Sequence, residues 1–286
     1  MRTLSKLIAS FAAFAALTAP TWSEDAYPSK PVRMIVAFAA GGSADINARG
    51  VGAQLSKDLG ATIVVGNKGG AGGNLGAVEA KRAAPDGYTF FYATSAVVLA
   101  PSLYASPGFD PHSDFVPVSL TATIPLVLVV NKNVPAATVA EFATWAKAQK
   151  SQMNYGSSGT WALLHLGGAL FTKEMGIEAT HIAYKGSAPA VTDLLGGSTQ
   201  FMFLPINEAM PHIKSGGLRA LAVSHDKRVA LLPQVPTLRE ATGKTTMDMG
   251  AWQGLMCAQG HAPRDRDQGI CRVAGVDQEQ GADRTP

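Results

Sequence analysis

Residues 32–45 read VRMIVAFAAGGSAD, an apolar, β-branched run that ends in two glycines and a short polar segment. The run predicts a buried strand. A helix is expected next, because apolar residues recur at helical spacing from Ala48 to Leu59. Ser43 or Asp45 can cap the start of that helix, and Gly60 can end it. Asp45 is expected as a cap rather than as a ligand of an anion, because two negative charges repel. This unit of strand, loop and helix sets the pattern for most of the chain.

The same unit recurs from Pro31 to Val223. Further strands are predicted at residues 62–65, 88–92, 126–130, 153–155, 179–184, 201–204 and 218–223. Further helices are predicted at residues 75–84, 139–146 and 163–175, with another that ends at Gly196. Alternation of this kind predicts an α/β fold with mainly parallel sheets and helices on both faces. In such sheets, ligands bind where loops lead from strand ends into helices.

The first residues predict export. Basic Arg2 and Lys6 precede the apolar stretch 7–17, and the sequence turns polar at residues 21–23. This pattern is typical of a cleaved signal peptide, predicted here as residues 1–23. The apolar stretch is shorter than the roughly 20 residues that a transmembrane helix needs. The remaining length is sufficient for two compact lobes.

Composition argues against several kinds of binding site. The net charge is only +3 and no basic run is present, so a nucleic-acid surface is not expected. The six histidines lack metal-ligand spacing, and no metal or cofactor is expected. Gly243-Lys244-Thr245 is similar to the end of a phosphate-binding loop, but Leu238 stands where that motif needs glycine.

Two loops are poor in charge but rich in glycine and small hydroxyl residues. Each follows a predicted strand and opens a predicted helix, where unsatisfied backbone N–H groups favour an anion. The candidate residues are Ala39, Ala40, Gly41, Gly42 and Ser43 in the first loop, and Ser157, Ser158, Gly159 and Thr160 in the second. Ordinary helix capping explains either loop alone, whereas the presence of both favours one shared ligand. Lys185 is a further candidate partner for an anion, with a solvated loop lysine as the alternative.

The second loop leaves an enzymatic alternative open. Gly156-Ser157-Ser158-Gly159 misses the spacing of a nucleophile elbow by one residue. An exported hydrolase that uses Ser157 or Ser158 would also need a base, and the sequence assigns none.

Several short segments together resemble a known family. They are residues 36–45, Gly70-Ala71-Gly72-Gly73-Asn74, Ala84-Pro85-Asp86-Gly87-Tyr88, residues 155–159, Tyr184-Lys185-Gly186 and Pro211-His212-Ile213-Lys214. In this order and spacing they resemble the Bug family, the solute-binding components of tripartite tricarboxylate transporters, from about Tyr27 to Met256. The resemblance implies a two-lobed type II periplasmic binding fold that holds a carboxylate between its lobes, mainly through backbone N–H groups and water.

The resemblance also implies partners and further site residues. It implies a periplasmic monomer that binds a dicarboxylate, a tricarboxylate or an aromatic acid, is not an enzyme, and delivers the acid to membrane subunits of the transporter. A sensory adaptor that presents the ligand to a membrane receptor is the alternative. Thr94 and Ser95 are implied as walls of the site. Leu204 stands where relatives often have an aspartate, which makes an amino-acid ligand less expected.

The resemblance suggests lobe boundaries and an anomaly at the end of the chain. We expect residues 24–121 and 224–256 to form the first lobe and residues 122–223 the second. The apolar pattern stops after Met256, so residues 257–286 are expected to be an aberrant, disordered tail. We hypothesise a one-base frameshift near Cys257, which sequencing of the gene would test.

Overall fold

The structure is a computed structural model that describes residues 27–149, 153–245 and 247–260. The predicted signal peptide and residues 261–286 of the predicted tail lie outside the described residues. Among the described residues, no helix has the length and apolar character needed to cross a membrane.

The first lobe is built on a sheet with the strand order β2–β1–β3–β9–β4. Its elements in the first part of the chain are β1 (Val32–Val36), α1 (Ser43–Leu59), β2 (Ile63–Asn67), α2 (Asn74–Lys81), β3 (Thr89–Thr94) and α3 (Ala96–Leu103), and it is completed by β4 (Phe115–Asn131) and β9 (Gly250–Ala258). Strands β1, β2 and β3 are parallel, as predicted. Ile35, Phe90 and Phe91 lie at the centre of the first core.

The second lobe repeats the arrangement around a second sheet. Its elements are α4 (Val139–Ala148), β5 (Asn154–Ser157), α5 (Leu163–Met175), β6 (Thr180–Ala183), α6 (Ser187–Gly196), β7 (Phe201–Pro205), α7 (Ile206–Lys214), β8 (Leu218–Ser224) and α8 (Leu238–Thr242). Strand β5 is parallel to β6 and β7, while β7 and β8 pair with β4. Phe142, Phe171 and Phe201 contact one another in the second core, with ring centroids 5.2 to 6.1 Å apart.

Strand β4 belongs to both sheets. Its residues 115–125 pair with β9 in the first sheet, and residues 126–131 pair with β7 and β8 in the second. All of these pairings are antiparallel. The two-lobed α/β fold is therefore confirmed, but β4 and β9 make the sheets mixed where we expected mainly parallel ones. The lobes meet between Pro125 and Leu126, inside a strand, rather than at residues 121 and 122.

The return to the first lobe also differs from the predicted division. Residues 224–249 were expected in the first lobe, but Leu232, Val235 and Leu238 are buried in the second core. Burial of these apolar side chains holds the segment on the second lobe. The chain rejoins the first sheet only at β9, which continues through buried Cys257 and Ala258. The start of the predicted tail is thus part of a strand.

Candidate functional site

A cleft between the two lobes brings together polar groups from both of them. It encloses about 460 Å³, a volume that includes the solvent space of its open mouth. Its polar lining consists of Ser43, Thr94, Ser95, Ser158, Ser187 and Gln253. The rest of its lining is apolar and includes Phe38, Leu164 and Ala251. No ionisable side chain lines the cleft among the described residues.

The first loop lies between β1 and α1, and protein groups accept hydrogen bonds from three of its amides. Ala39 donates to the carbonyl of Lys185 on the second lobe over 3.1 Å. Gly41, which has a positive φ of 82°, donates to the Asp45 carboxylate over 2.9 Å. Ser43 donates to Glu208 Oε2 over 2.9 Å. Of the five candidates in this loop, only Ser43 lines the cleft.

Glu208 is a buried acid that joins the two lobes. It lies in the first turn of α7 and is 4% exposed. Its Oε2 accepts from the Ser43 amide of the first lobe and, over 2.7 Å, from the Ser187 hydroxyl of the second. Its Oε1 is buried and has no hydrogen-bond partner among the described residues. Burial raises the pKa of Glu208 to about 7, although both hydrogen bonds oppose that rise.

Asp45 accepts from the same loop but has the opposite pKa shift. Burial favours a raised pKa, but hydrogen bonds from Arg49, from the Gly41 amide and from Asn67 together hold the pKa of Asp45 below its usual value. Ser43 and Asp45 were predicted as caps of α1, but Gly42 is the N-cap and has no side chain that could accept a hydrogen bond. Asp45 instead accepts from the Gly41 amide, one residue before the N-cap.

A chain of side-chain amides continues the contact between the lobes. The Ser43 hydroxyl donates to Asn207 Oδ1 over 2.8 Å and accepts from Gln253 Nε2 over 3.1 Å. Asn47 donates in turn to Gln253 Oε1 over 2.8 Å. Asn207 belongs to the second lobe and the other three to the first, so this network fixes Ser43 at the boundary between the lobes.

The second loop presents Ser158 to the cleft and buries Ser157. Ser157 is 0% exposed, and its hydroxyl lies 2.6 Å from His181 Nε2. The same hydroxyl accepts from the Gly159 amide over 3.1 Å. The Thr160 carbonyl accepts from the Tyr104 hydroxyl of the first lobe over 2.6 Å. Only Ser158, of the four candidates in this loop, lines the cleft.

His181 and His165 form a stacked pair behind Ser157. Their ring centroids are 3.9 Å apart, and His165 Nδ1 accepts from the Trp161 amide over 3.0 Å. Burial lowers the pKa of His181 to about 4, and the neighbouring His165 adds to the shift. Burial also lowers the pKa of His165. Both rings are therefore neutral near pH 7. The contact between His181 and Ser157 was not predicted, because no motif spacing links the two residues.

The remaining candidates divide between the cleft and other places. Thr94 and Ser95 line the cleft. The Lys185 side chain is exposed and its carbonyl, not its ammonium, contacts the first loop. Leu204 is fully buried in the second core because it lies within β7, and it does not line the cleft.

Sequence reasoning missed three residues: Glu208, Ser187 and Gln253. Ser187 directly follows the Tyr184-Lys185-Gly186 segment and begins α6, which was a usable signal. Glu208 is the single charge between the apolar strand β7 and residue 211, a position where an acid at a helix start could have been noticed. Gln253 lies in β9, a strand that was not predicted.

Comparisons with known proteins agree with this architecture. Residues 47–267 match the family described as "Tripartite tricarboxylate transporter family receptor". Protein BugT of Bordetella pertussis is 36% identical over 266 residues, which cover 92% of this chain and 81% of BugT. The match to the family thus continues past Met256, where the apolar pattern of the sequence stops.

Two solved structures of Rhodopseudomonas palustris proteins are also similar. Rpa4515 with adipate has a TM-score of 0.83 and 32% identity, covering 88% of this chain and 85% of that one. MatC with bound malate has a TM-score of 0.81 and 29% identity, covering 88% and 86%. With the family match and the cleft between two lobes, these likenesses show that the chain belongs to the tripartite tricarboxylate transporter receptor family, the Bug proteins, which are periplasmic solute-binding proteins.

Proposed function

We propose that this chain captures a small carboxylate in the cleft between its lobes and delivers it to the membrane subunits of a tripartite tricarboxylate transporter. The observation that carries the proposal is the lining of the cleft: hydroxyl and amide groups from both lobes, with no ionisable side chain among the described residues. Neutral donors of this kind bind an anion without a fixed counter-charge. The relatives with adipate and malate support an acid of this size.

The ligand is expected to stabilise the closed arrangement because it contacts both lobes at once. Ser95 and Gln253 lie on the first lobe, whereas Ser158 and Ser187 lie on the second. A ligand that reaches both sets favours closure through its different contacts in the open and closed states.

Calorimetry with a panel of carboxylates tests the proposal. We expect binding without turnover, and Ser158→Ala should weaken it by about tenfold, the loss of a hydrogen bond to a charged group. Ser198→Ala is the matched control, since Ser198 lies on the same lobe, is exposed and does not line the cleft. A panel that gives no heat with a folded protein would contradict the proposal.

Delivery to a transporter needs a separate test. We expect vesicles that carry the tripartite membrane subunits to take up the bound acid only when this protein is added. Equal uptake with and without the protein would contradict this part of the proposal.

One observation favours the hydrolase alternative: the Ser157 hydroxyl lies 2.6 Å from His181 Nε2. Ser157 is fully buried, however, and a histidine with a pKa of about 4 is a weak base near neutral pH. Among the described residues, no carboxylate is hydrogen-bonded to His181 to orient it. We therefore assign the pair a structural role. Ester hydrolysis that disappears in Ser157→Ala or Ser158→Ala would overturn this assignment.

A further inference from the structure

The start of α1 already holds a carboxylate, that of Glu208. The Ser43 amide is the kind of group that binds an acid at a helix N-terminus. Glu208 Oε2 lies 2.9 Å from this amide and 2.7 Å from the Ser187 hydroxyl. Ser43 and Ser187 line the cleft from opposite lobes. The acid therefore occupies a position that bridges the lobes, which is where a ligand carboxylate is expected.

Glu208 is part of the buried structure and not a surface side chain that happens to reach the site. It is 4% exposed, and its neighbours Ile206 and Ala209 belong to the second core. Its Oε1 is buried and has no partner among the described residues, so the group retains an unused acceptor or, when protonated, a donor.

The groups around Glu208 do not neutralise its charge. The two that bond to it are a backbone amide and a hydroxyl, which are both neutral. On α1, Asp45 and Arg49 pair with each other over 3.0 Å. On α6, Asp193 accepts from the Tyr184 hydroxyl. A second carboxylate placed beside Glu208 would therefore meet an uncompensated like charge.

We infer that Glu208 determines ligand specificity: it supplies from within the protein the carboxylate that the start of α1 binds, so that the cleft prefers acids with one carboxylate over dicarboxylates. This inference rests on the proposed function. The hydroxyls of Ser158, Thr94 and Ser95 remain in the cleft for the single carboxylate of the ligand. A dicarboxylate would have to displace Glu208 or lie next to it, and both are costly in a buried site.

Matched pairs of acids test the inference. Hexanoate and adipate have the same chain length and differ in one carboxylate, as do butanoate and succinate. Titration calorimetry would compare wild type, Glu208→Gln and Glu208→Ala at pH 8, above the Glu208 pKa of about 7. Glu240→Gln is the control, because Glu240 also accepts from a backbone amide at a helix start. Its partners Thr237 and Arg228 do not line the cleft, whereas the Glu208 partners Ser43 and Ser187 do.

We expect wild type and Glu240→Gln to bind the monocarboxylate of each pair at least about tenfold more tightly than the dicarboxylate. Glu208→Ala should shift this preference toward the dicarboxylate by about tenfold or more, because it frees the Ser43 amide. Glu208→Gln should give a smaller shift, since it removes the charge but keeps an acceptor. Thermal melts would verify that each variant folds, and Glu208→Gln alone decides the matter if Glu208→Ala does not fold.

Other outcomes separate the two proposals. Equal or tighter binding of the dicarboxylate by wild type would overturn the role of Glu208 and leave carboxylate capture intact. A monocarboxylate preference that persists unchanged in the folded Glu208 variants would do the same. If wild type and every folded variant bind none of the four acids, carboxylate capture itself fails, and the inference falls with it.

Discussion

The two glycine-rich loops have similar sequences but different neighbours in the structure. The amides of Ala39, Gly41 and Ser43 in the first loop donate to a carbonyl and two carboxylates of the protein. In the second loop, Ser157 pairs with a neutral histidine, and Ser158 faces the cleft. The same local pattern of strand, glycine, hydroxyl residue and helix thus gives one loop with three amides bound to groups of the protein and one whose Ser158 has no protein partner for its hydroxyl among the described residues. Local sequence predicts where an anion can bind, but not which carboxylate binds there.

The largest expected effect is a loss of folding stability as the pH rises, caused by the buried carboxyl group of Glu208 at the first loop. Its pKa is raised from 4.5 to about 7, so the folded state binds the proton more tightly than the unfolded state. The stability that this gives is full below pH 4.5 and is lost as the pH rises through about 7. At about 1.4 kcal/mol per pKa unit, the loss is about 3 kcal/mol. Denaturant unfolding should show that the free energy of unfolding falls less between pH 5 and pH 8 in Glu208→Gln than in wild type.

Glu240→Gln provides the control for this measurement. The Thr237 amide, followed by Arg228, lowers the pKa of Glu240, so its influence on stability appears only below its unfolded pKa of 4.5. The change in the free energy of unfolding of Glu240→Gln between pH 5 and pH 8 should therefore equal that of wild type. Equal losses in wild type and Glu208→Gln would contradict the pKa shift of Glu208.

The next effect concerns the close approach of the first loop to the second lobe. A Cβ at Gly186 would lie 2.7 Å from the backbone nitrogen of Ala39, too close for the lobes to keep their contact. We expect Gly186→Ala to weaken acid binding by about tenfold, or about 1.4 kcal/mol, with little change in unfolding stability. Gly196→Ala is the matched control, because a Cβ there meets nothing within 4 Å. Unchanged affinity in Gly186→Ala would show that closure does not need this contact.

A smaller effect of the opposite sign is expected at the second loop. The folded pKa of His181 is about 4, below its unfolded value of 6.5, so the unfolded state takes up the proton first as the pH falls. Stability is therefore lost between pH 6.5 and about pH 4. Allowing for partial exposure, we expect a loss of about 1 kcal/mol that His181→Gln reduces. Thermal melts across this pH range would measure the loss of stability. An equal loss in wild type and in His181→Gln would contradict the prediction.

The smallest effect is one hydrogen bond between the second loop and the first lobe. Tyr104→Phe removes the donor to the Thr160 carbonyl, worth about 0.5–1 kcal/mol, so acid affinity should fall by up to about fivefold. Tyr27→Phe is the control, because the Tyr27 hydroxyl donates to Gly87 within the first lobe. A larger loss of affinity in Tyr27→Phe than in Tyr104→Phe would contradict a role for this bond in closure.

Most regular elements were predictable because their periodicity is local. The helix at Leu163–Met175 has the predicted bounds, and the predicted strands match those observed to within a few residues. The first part of β4 was not predicted, since Pro117 and Pro125 interrupt its pattern and proline is unusual inside a sheet. Helices α3 and α7 were not predicted either, because Pro101 and Pro211 lie inside them and proline is unfavourable in the interior of a helix.

The site was predictable only where its residues follow strand ends. Ser43 and Ser158 stand at such positions, and both line the cleft. Glu208 meets the Ser43 amide across 165 positions of the chain, and Gln253 meets the Ser43 hydroxyl across 210. No periodicity or motif spacing encodes contacts of this range, because they arise only when distant segments of the chain fold together: Glu208 and Ser43 across the two lobes, Gln253 and Ser43 within the first.

The passage of β4 through both sheets has a mechanical consequence. The first sheet ends at the pairing of Pro125 with Gly250, and the very next residue, Leu126, already pairs with the second sheet. No slack linker therefore separates the lobes along this strand. Any rotation of one lobe against the other therefore has to twist β4 at this point, so the resistance of this strand to twisting limits how far the cleft can open.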